Sequence, residues 1–504
     1  MEKIETIFSN FECDNIISMP TTQVALQNSV ETSTYGGISK LLCLKATAEV
    51  VSMEMLEKQA KINGKICFKV MFLTLKGEMK NMEFRVEFAT ILENPIITPK
   101  SLLFAKCSVL DIDKDILDNL LKLQCVVDIE SVAVLQNSQK ALMSITNVCN
   151  KKVCGKFANC TEKVCESCAL TADEATGCNI DDIVHYDCNV VLNKIVCVDG
   201  KVCATGEVSC SVVYTSEQMM ATKCFNIPFT QEIEAKSSKS SSMAFLQTKV
   251  KECKLLITGE ERDNLIRINC DIMCEGVVFD MQENYYVEDV YSPNCNLTTE
   301  NQNVESNILA DMVFETDRVS GSFLLEDESV GSIRRIVCCN AISSNVNNVI
   351  VQQDCFVLEG LLMACVVYET DEQAISSIMV ELPFSLQYEK QGLCPNYNLF
   401  VKSICNNICA KVKMQKDIEV SAQLSFCGYI TKQQQYNFIK MVDIGEEKQV
   451  EDCAISIYFS KKNDTMWDIV KGVNANEDVI LKQNPSLIER TQGKKVIVYH
   501  EINM

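Results

Sequence analysis

Gly64-Lys-Ile-Cys-Phe-Lys-Val-Met-Phe72, Gly206-Glu-Val-Ser-Cys-Ser-Val-Val-Tyr214 and Gly360-Leu-Leu-Met-Ala-Cys-Val-Val-Tyr368 are three versions of one pattern. Each opens on glycine, and the runs are rich in the β-branched and aromatic residues that favour strands. A polar turn follows, then a second strand ending at Phe88, Phe229 or Phe384. The Gly-to-Phe separation is 24, 23 and 24 residues, and the last two copies share a proline, Pro228 and Pro383, before the Phe. Near-constant spacing over three copies marks an internal repeat.

The pattern continues downstream. Ile266, Ile268, Cys270, Ile272 and Cys274 alternate with mostly polar residues before Gly276, and Ile418, Val420, Ala422, Leu424 and Phe426 do the same before Gly428. Leu121, Leu123, Cys125, Val127 and Ile129 form a weaker first copy. A period of two over nine residues means strands with one buried face. The sequence therefore predicts a mainly β chain with three tandem sandwich-like or barrel-like repeats of ~110 residues, too long for solenoid repeats. Their bounds are 30–145, 177–290 and 326–440, after an unplaced N-terminal segment 1–29. Connections are expected at about 146–176, 291–325 and 441–453, the second containing the polar run Asn301-Gln-Asn-Val-Glu-Ser-Asn307. Ser237 to Ser242 reads as a solvated loop.

Residues 454–504 read differently. Asp464 and Thr465 can cap a helix entering through Met466 and Trp467, with Gly472 placed to end it. Asn476 can cap a second helix whose first turn carries Glu477 and Asp478, favoured by the macrodipole. Asn484 suits a left-handed C-terminal position, and Pro485 stops the helix. Strand-like flanks at Ala454–Phe459 and Lys494–Tyr499 complete a βααβ unit. Trp467 is the only tryptophan of the chain. It reads equally as the core residue of a small domain and as an interface anchor. Val479 and Leu481 likewise read as core or contact.

Bulk properties narrow the function. A 47% hydrophobic content excludes extensive disorder, and a net charge of −21 repels nucleic acid and anionic membranes. Neither a secretory signal nor an apolar run of eighteen residues is present, so the expectation is a soluble intracellular protein. Of the 29 cysteines, Cys149, Cys154, Cys160, Cys165 and Cys168 come nearest to a metal site, but only the last pair has knuckle spacing. Across the repeats, cysteine exchanges mostly with small or apolar residues: Cys125 and Cys270 align with Ala422, and Cys210 with Phe68 and Ala364. It behaves as a small buried hydrophobe, so no metal or cofactor is expected. His185, near Asp181, Asp182 and Asp187, has no companion motif for acid–base or nucleophilic work, and no phosphate loop is present. The chain reads as a non-enzyme.

Three β-rich repeats followed by a βααβ unit resemble the SPOCS-domain (spore coat assembly) proteins of clostridial spore formers, which end in a LysM domain. The LysM resemblance rests on Asp464-Thr465-Met466-Trp467, with Asn463 where the family usually has Gly. The resemblance implies a mother-cell protein at the forespore surface. It implies a C-terminal unit that binds the coat basement-layer ATPase, stage IV sporulation protein A, through the region of Thr465, Met466, Trp467 and Ile469. The alternative is a LysM protein that binds peptidoglycan or another N-acetylglucosamine-containing glycan of the wall or cortex. A thiol-based metal or redox protein rests on cysteine number alone.

Overall fold

The structure, a computed structural model, describes residues 3–117, 119–217, 219–259, 264–325, 331–448, 455–487, 493 and 495–499. The chain begins with β1 (Thr6–Glu12), β2 (Asn15–Ser18), β3 (Thr22–Glu31), β4 (Lys40–Leu56), β5 (Gln59–Leu73), β6 (Met79–Glu93), β7 (Leu102–Leu117), β8 (Leu120–Leu135) and β9 (Ser138–Ile145). Two antiparallel sheets result. One is the meander β4-β5-β6; in the other, β8 lies between β3 and β7, so early and late strands pair. The arrangement recurs in β10 (Cys149–Ala175), β11 (Asp182–Val198), β12 (Lys201–Ser216), β13 (Met219–Glu234), β14 (Met243–Thr258) and β15 (Leu265–Tyr291), as sheets β11-β12-β13 and β10-β15-β14. It recurs again in β16 (Cys295–Leu324), β17 (Ile333–Gln352), β18 (Cys355–Thr370), β19 (Ile375–Glu389), β20 (Asn398–Met414) and β21 (Asp417–Glu447), as β17-β18-β19 and β16-β21-β20. Last come β22 (Ile455–Phe459), α1 (Met466–Gly472), α2 (Glu477–Gln483) and β23 (Lys495–Tyr499), the two strands pairing antiparallel.

Within each unit the two sheets enclose a core built by the alternating strands. Ile266, Ile268, Cys270, Ile272 and Cys274 are all buried, as are Ile418, Val420, Ala422, Leu424 and Phe426, and the first-unit row Leu121 to Ile129. The Gly/Phe spacing also has a physical basis. Gly64 stands directly opposite Phe88, Gly206 opposite Phe229 and Gly360 opposite Phe384 in neighbouring strands. The Phe ring lies over the glycine: a Cβ at Gly64 would sit 2.2 Å from the Phe88 ring, and at Gly360 2.4 Å from that of Phe384. An aromatic covering a strand glycine fills the missing side-chain volume and fixes the register of the hairpin.

The expected connections are strands. Residues 149–175 form β10 and 295–324 form β16, each pairing along its length with the last strand of its own unit. The polar run at 301–307 belongs to β16, where Val304 and Ser306 face inward and Asn301, Asn303 and Glu305 face solvent. The segment before residue 30 supplies β1 to β3. Part of the expected connection at 441–453 is the end of β21; residues 449–453 lie outside the described ones. Ser238 and Ser242, expected to be solvated, are buried; Ser238 donates to the Lys201 carbonyl at 3.0 Å.

These long first and last strands overhang their sandwiches. The overhangs form three two-stranded ribbons (β1–β9, and the far ends of β10–β15 and β16–β21) that pack together around a common axis. Phe11, Phe157, Tyr286, Tyr436 and Phe438 interlock there, with Phe11 and Phe157 centroids 5.0 Å apart and Phe157 and Tyr436 4.8 Å apart. Asp14, between β1 and β2, ties the units. Its carboxylate accepts from Asn137 N at 3.0 Å and Cys160 N at 2.6 Å, and its carbonyl accepts from Ser306 Oγ at 2.6 Å.

Phe229→Ala removes the ring over Gly206 and leaves a void that β12 and β13 cannot close. Urea unfolding should show a loss of about 3–5 kcal/mol, with far-UV circular dichroism of the folded baseline unchanged.

Candidate partner-binding surface

The C-terminal unit is assembled by local chemistry. Thr465 caps α1 in a reciprocal box: its Oγ1 accepts from Asp468 N, and an Asp468 carboxylate oxygen accepts from Thr465 N at 2.8 Å. Those hydrogen bonds hold the Asp468 carboxyl below its usual range. Gly472 is the last residue of α1, and a Cβ there would meet the Tyr458 ring at 2.7 Å. Asn476 precedes α2 in extended geometry. Asn484 is not left-handed, its φ being −133°. Its side chain is instead engaged with β23, donating to the Ile497 carbonyl at 2.7 Å and accepting from Ile497 N at 3.0 Å. Gln483 treats Tyr499 the same way, so two side-chain amides cover this strand edge.

The residues singled out by sequence divide into three groups. Ile469 is fully buried, sharing a core with Val470, Ile480, Val496 and Val498, so it shapes the unit from within. Thr465 is exposed but committed to its cap. Met466, Trp467 and Leu481 are half-buried against the core, while Val479 on α2 is 39% exposed. Trp467 turns toward the rest of the chain: its Nε1 donates to Asp289 Oδ2 at 2.8 Å, and its ring meets Tyr291 edge-on at 5.1 Å. Lys471 Nζ reaches both Asp289 oxygens at 2.9 and 2.7 Å, Tyr291 donates to the Ala475 carbonyl at 2.7 Å, and Lys448 Nζ donates to Asn474 Oδ1 at 2.7 Å. The unit is therefore seated on the end of β15.

Docking leaves another face outward. Along β22, Ile455, Ile457 and Phe459 share one side of the sheet, and Tyr499 lies opposite Ile455 on β23. Ile457 is 50%, Phe459 70% and Tyr499 57% exposed. The sequence carried this signal: Ile455-Ser-Ile-Tyr-Phe459 places apolar residues on the outer side of a strand whose inner side also holds Tyr458. Reading the strand only as scaffold for the helices hid it.

The cysteine suspicion is resolved by extension. Cys149, Cys154, Cys160, Cys165 and Cys168 lie along the single strand β10, where nineteen residues at ~3.3 Å each span roughly 60 Å, so they cannot surround one ion. His185 sits on the interunit axis beside the buried pair Lys45–Asp187 (2.5 Å). Burial alone would raise Asp187, but Lys45 and then Lys69 outweigh it and hold the carboxyl well below the carboxylate range. Burial, then Lys69, pushes the His185 imidazole down to about 4, and among the described residues its Nδ1 has no hydrogen-bond partner. Asp181 and Asp182 are exposed, away from this junction.

Residues 179–258, spanning β11 to β14, match the family model described as SipL, SPOCS domain. This segment is similar to SPOCS domains, a likeness that suggests a role in sporulation. No curated protein and no solved structure matches the chain.

Two outcomes follow from these contacts. Asp289→Ala removes the acceptor shared by Trp467 and Lys471. The fluorescence of the single tryptophan should shift red and become more accessible to acrylamide, at a cost of about 1.5–3 kcal/mol to docking alone. The second concerns pH. Because the folded His185 titrates near 4 and a free imidazole near 6.5, the unfolded chain binds the extra proton between those values. Stability should then fall as pH drops through that window, by up to about 3 kcal/mol, and denaturant titrations of His185→Gln should lack that slope.

Proposed function

We propose that the chain is a non-catalytic scaffold and adaptor of endospore coat assembly, built of three SPOCS repeats and a C-terminal LysM-like unit. In this reading it works in the mother cell at the forespore surface. Its LysM-like unit binds stage IV sporulation protein A, the coat basement-layer ATPase. The likeness of residues 179–258 to SPOCS domains supports the sporulation setting. The observation that carries the adaptor role is the outward apolar face of β22 and β23, with Phe459 at 70% exposure on a unit whose opposite side is already docked. A cluster of large apolar side chains held outward on paired strands costs solubility unless a partner covers it. Aromatic residues in such patches supply binding anchors. The three fused units provide a broad acidic body that spaces the adaptor from other contacts.

The test is calorimetric titration of the full chain against recombinant stage IV sporulation protein A, with insoluble peptidoglycan as a second bait. Ile457→Ser and Phe459→Ser should each weaken ATPase binding roughly 30-fold, about 2 kcal/mol, with unchanged circular dichroism. Variants that bind like the wild type would remove the sheet face from the account. Retention on glycan without ATPase binding would replace the adaptor by the wall-binding alternative.

A further inference from the structure

Where β7, β14 and β20 face one another around the interunit axis, they leave a cavity of about 480 Å³ lined by all three units. That volume lies within the range of small-molecule sites, ~300–1,000 Å³. Equivalent residues build it in layers. Phe104, Phe245 and Phe400 come together with Tyr429, the Phe104–Phe245 and Phe400–Tyr429 centroids being 5.3 and 4.9 Å apart. Two residues further along the same strands, on the same face, stand Lys106, Gln247 and Lys402. An aromatic floor thus lies beneath a polar ring.

The ring's charges are unequally satisfied. Lys106 pairs with Glu130 at 3.7 Å, Lys249 donates to the Val50 carbonyl at 3.2 Å, and Glu49 pairs with Lys65 at 2.6 Å. Among the described residues, none forms an ion pair or hydrogen bond with the Lys402 ammonium. The Lys402 side chain lines the cavity and is exposed to solvent. Desolvation by the surrounding walls, then the neighbouring charge of Lys106, lowers its pKa. An unpaired ammonium beside a second lysine and above an apolar floor attracts an anion, and the floor excludes water from one side of the resulting ion pair.

We propose that this axial cavity is a binding site for a small amphiphilic monoanion, a carboxylate with an apolar body. Its head would meet Lys402 and Lys106, and its body would lie on Phe104, Phe245 and Phe400. Polyanions such as nucleotides fit poorly, because Glu49, Glu130 and Glu275 also line the walls. The ligand would touch all three units at once, so its binding would tighten the association of the units.

The experiment is calorimetric titration of the full chain with decanoate, decanol and inorganic phosphate. It is joined by mass-spectrometric footprinting of lysines by reductive methylation, with and without decanoate. Saturable binding of one decanoate, little binding of decanol or phosphate, and selective protection of Lys402 are expected. Lys402→Met should weaken decanoate at least about tenfold while leaving the melting temperature of the unliganded protein unchanged. Lys156→Met, on the solvent side of a ribbon, should leave decanoate binding unchanged. Decanol binding as tightly as decanoate, or Lys402 methylated equally in both conditions, would overturn the proposal; the footprint decides on wild-type protein even if a variant fails to fold.

Discussion

The pairing of each unit's early strands with its last ones is the constraint from which the rest follows. β10 and β15 are each 27 residues long, and β16 and β21 are 30 and 31. At ~3.3 Å per residue such strands exceed the depth of any one sandwich. Their inner parts close a unit, and their outer parts must bury an apolar row elsewhere. The other units' overhangs provide surfaces of matching chemistry, so the strands that close a sandwich also join the three units. Bulges mark the passage from one role to the other, at Cys160/Glu162 in β10 and Leu309/Asp311 in β16. In the first unit the ribbon is instead interrupted between β1 and β2, and Asp14 supplies through its carboxylate the hydrogen bonds that a continuous strand would have made.

What the sequence revealed and what it hid divide along the same line. The hairpin pattern was legible because its cause is local: a glycine and a phenylalanine that face each other must keep their spacing, as Gly64 and Phe88 do. Alternating rows such as Ile266 to Cys274 were legible because one sandwich buries them. The outer half of β16 was not, because its apolar residues are sparse (Val304, Ile308, Leu309) and its solvent face is Asn and Glu, the composition of a loop. Its pairing with β21 and its packing against the other units, which a single-strand period cannot reveal, make a strand of it. The helix cap at Thr465 was legible for the same local reason as the glycines, whereas Asn476 stands before α2 without a side-chain cap, its Oδ1 accepting from Cys149 Sγ instead, and the hold of Asn484 on Ile497 is tertiary. Within the candidate surface, the position of Trp467 in the chain was informative but the direction it faces was not.

Divergence among the units has a use at the axis. Lys45, Asp187 and Asn340 occupy equivalent positions, opposite Lys69, Ser211 and Cys365 on the neighbouring strands. Three identical units would bring three like charges together in a site of low polarity, which no fold tolerates. The cation and the anion pair with each other, while the neutral Asn340 amide turns to the Cys43 and Cys338 sulfurs, an arrangement that suits one order of units around the axis. Such a buried pair adds little net stability over an apolar substitute, but losing one partner costs about 3–5 kcal/mol. The pair therefore acts on register more than on stability.

The seating of the C-terminal unit bears on where recognition can occur. Asp289 holds both the Trp467 indole and the Lys471 ammonium, and Tyr291 packs on the same ring, so the start of α1 is already occupied by the chain's own β15. A partner that required Trp467 would first have to displace two charge-assisted hydrogen bonds and an aromatic contact. Among the described residues, nothing covers the β22–β23 face: Ile457, Phe459 and Tyr499 stand on paired strands, backed by Val496 and Val498. Apolar side chains on a rigid sheet lose little conformational freedom on binding, so more of their buried area becomes affinity. The tryptophan then orients the unit on the body, and the sheet it orients is the surface that a partner can reach.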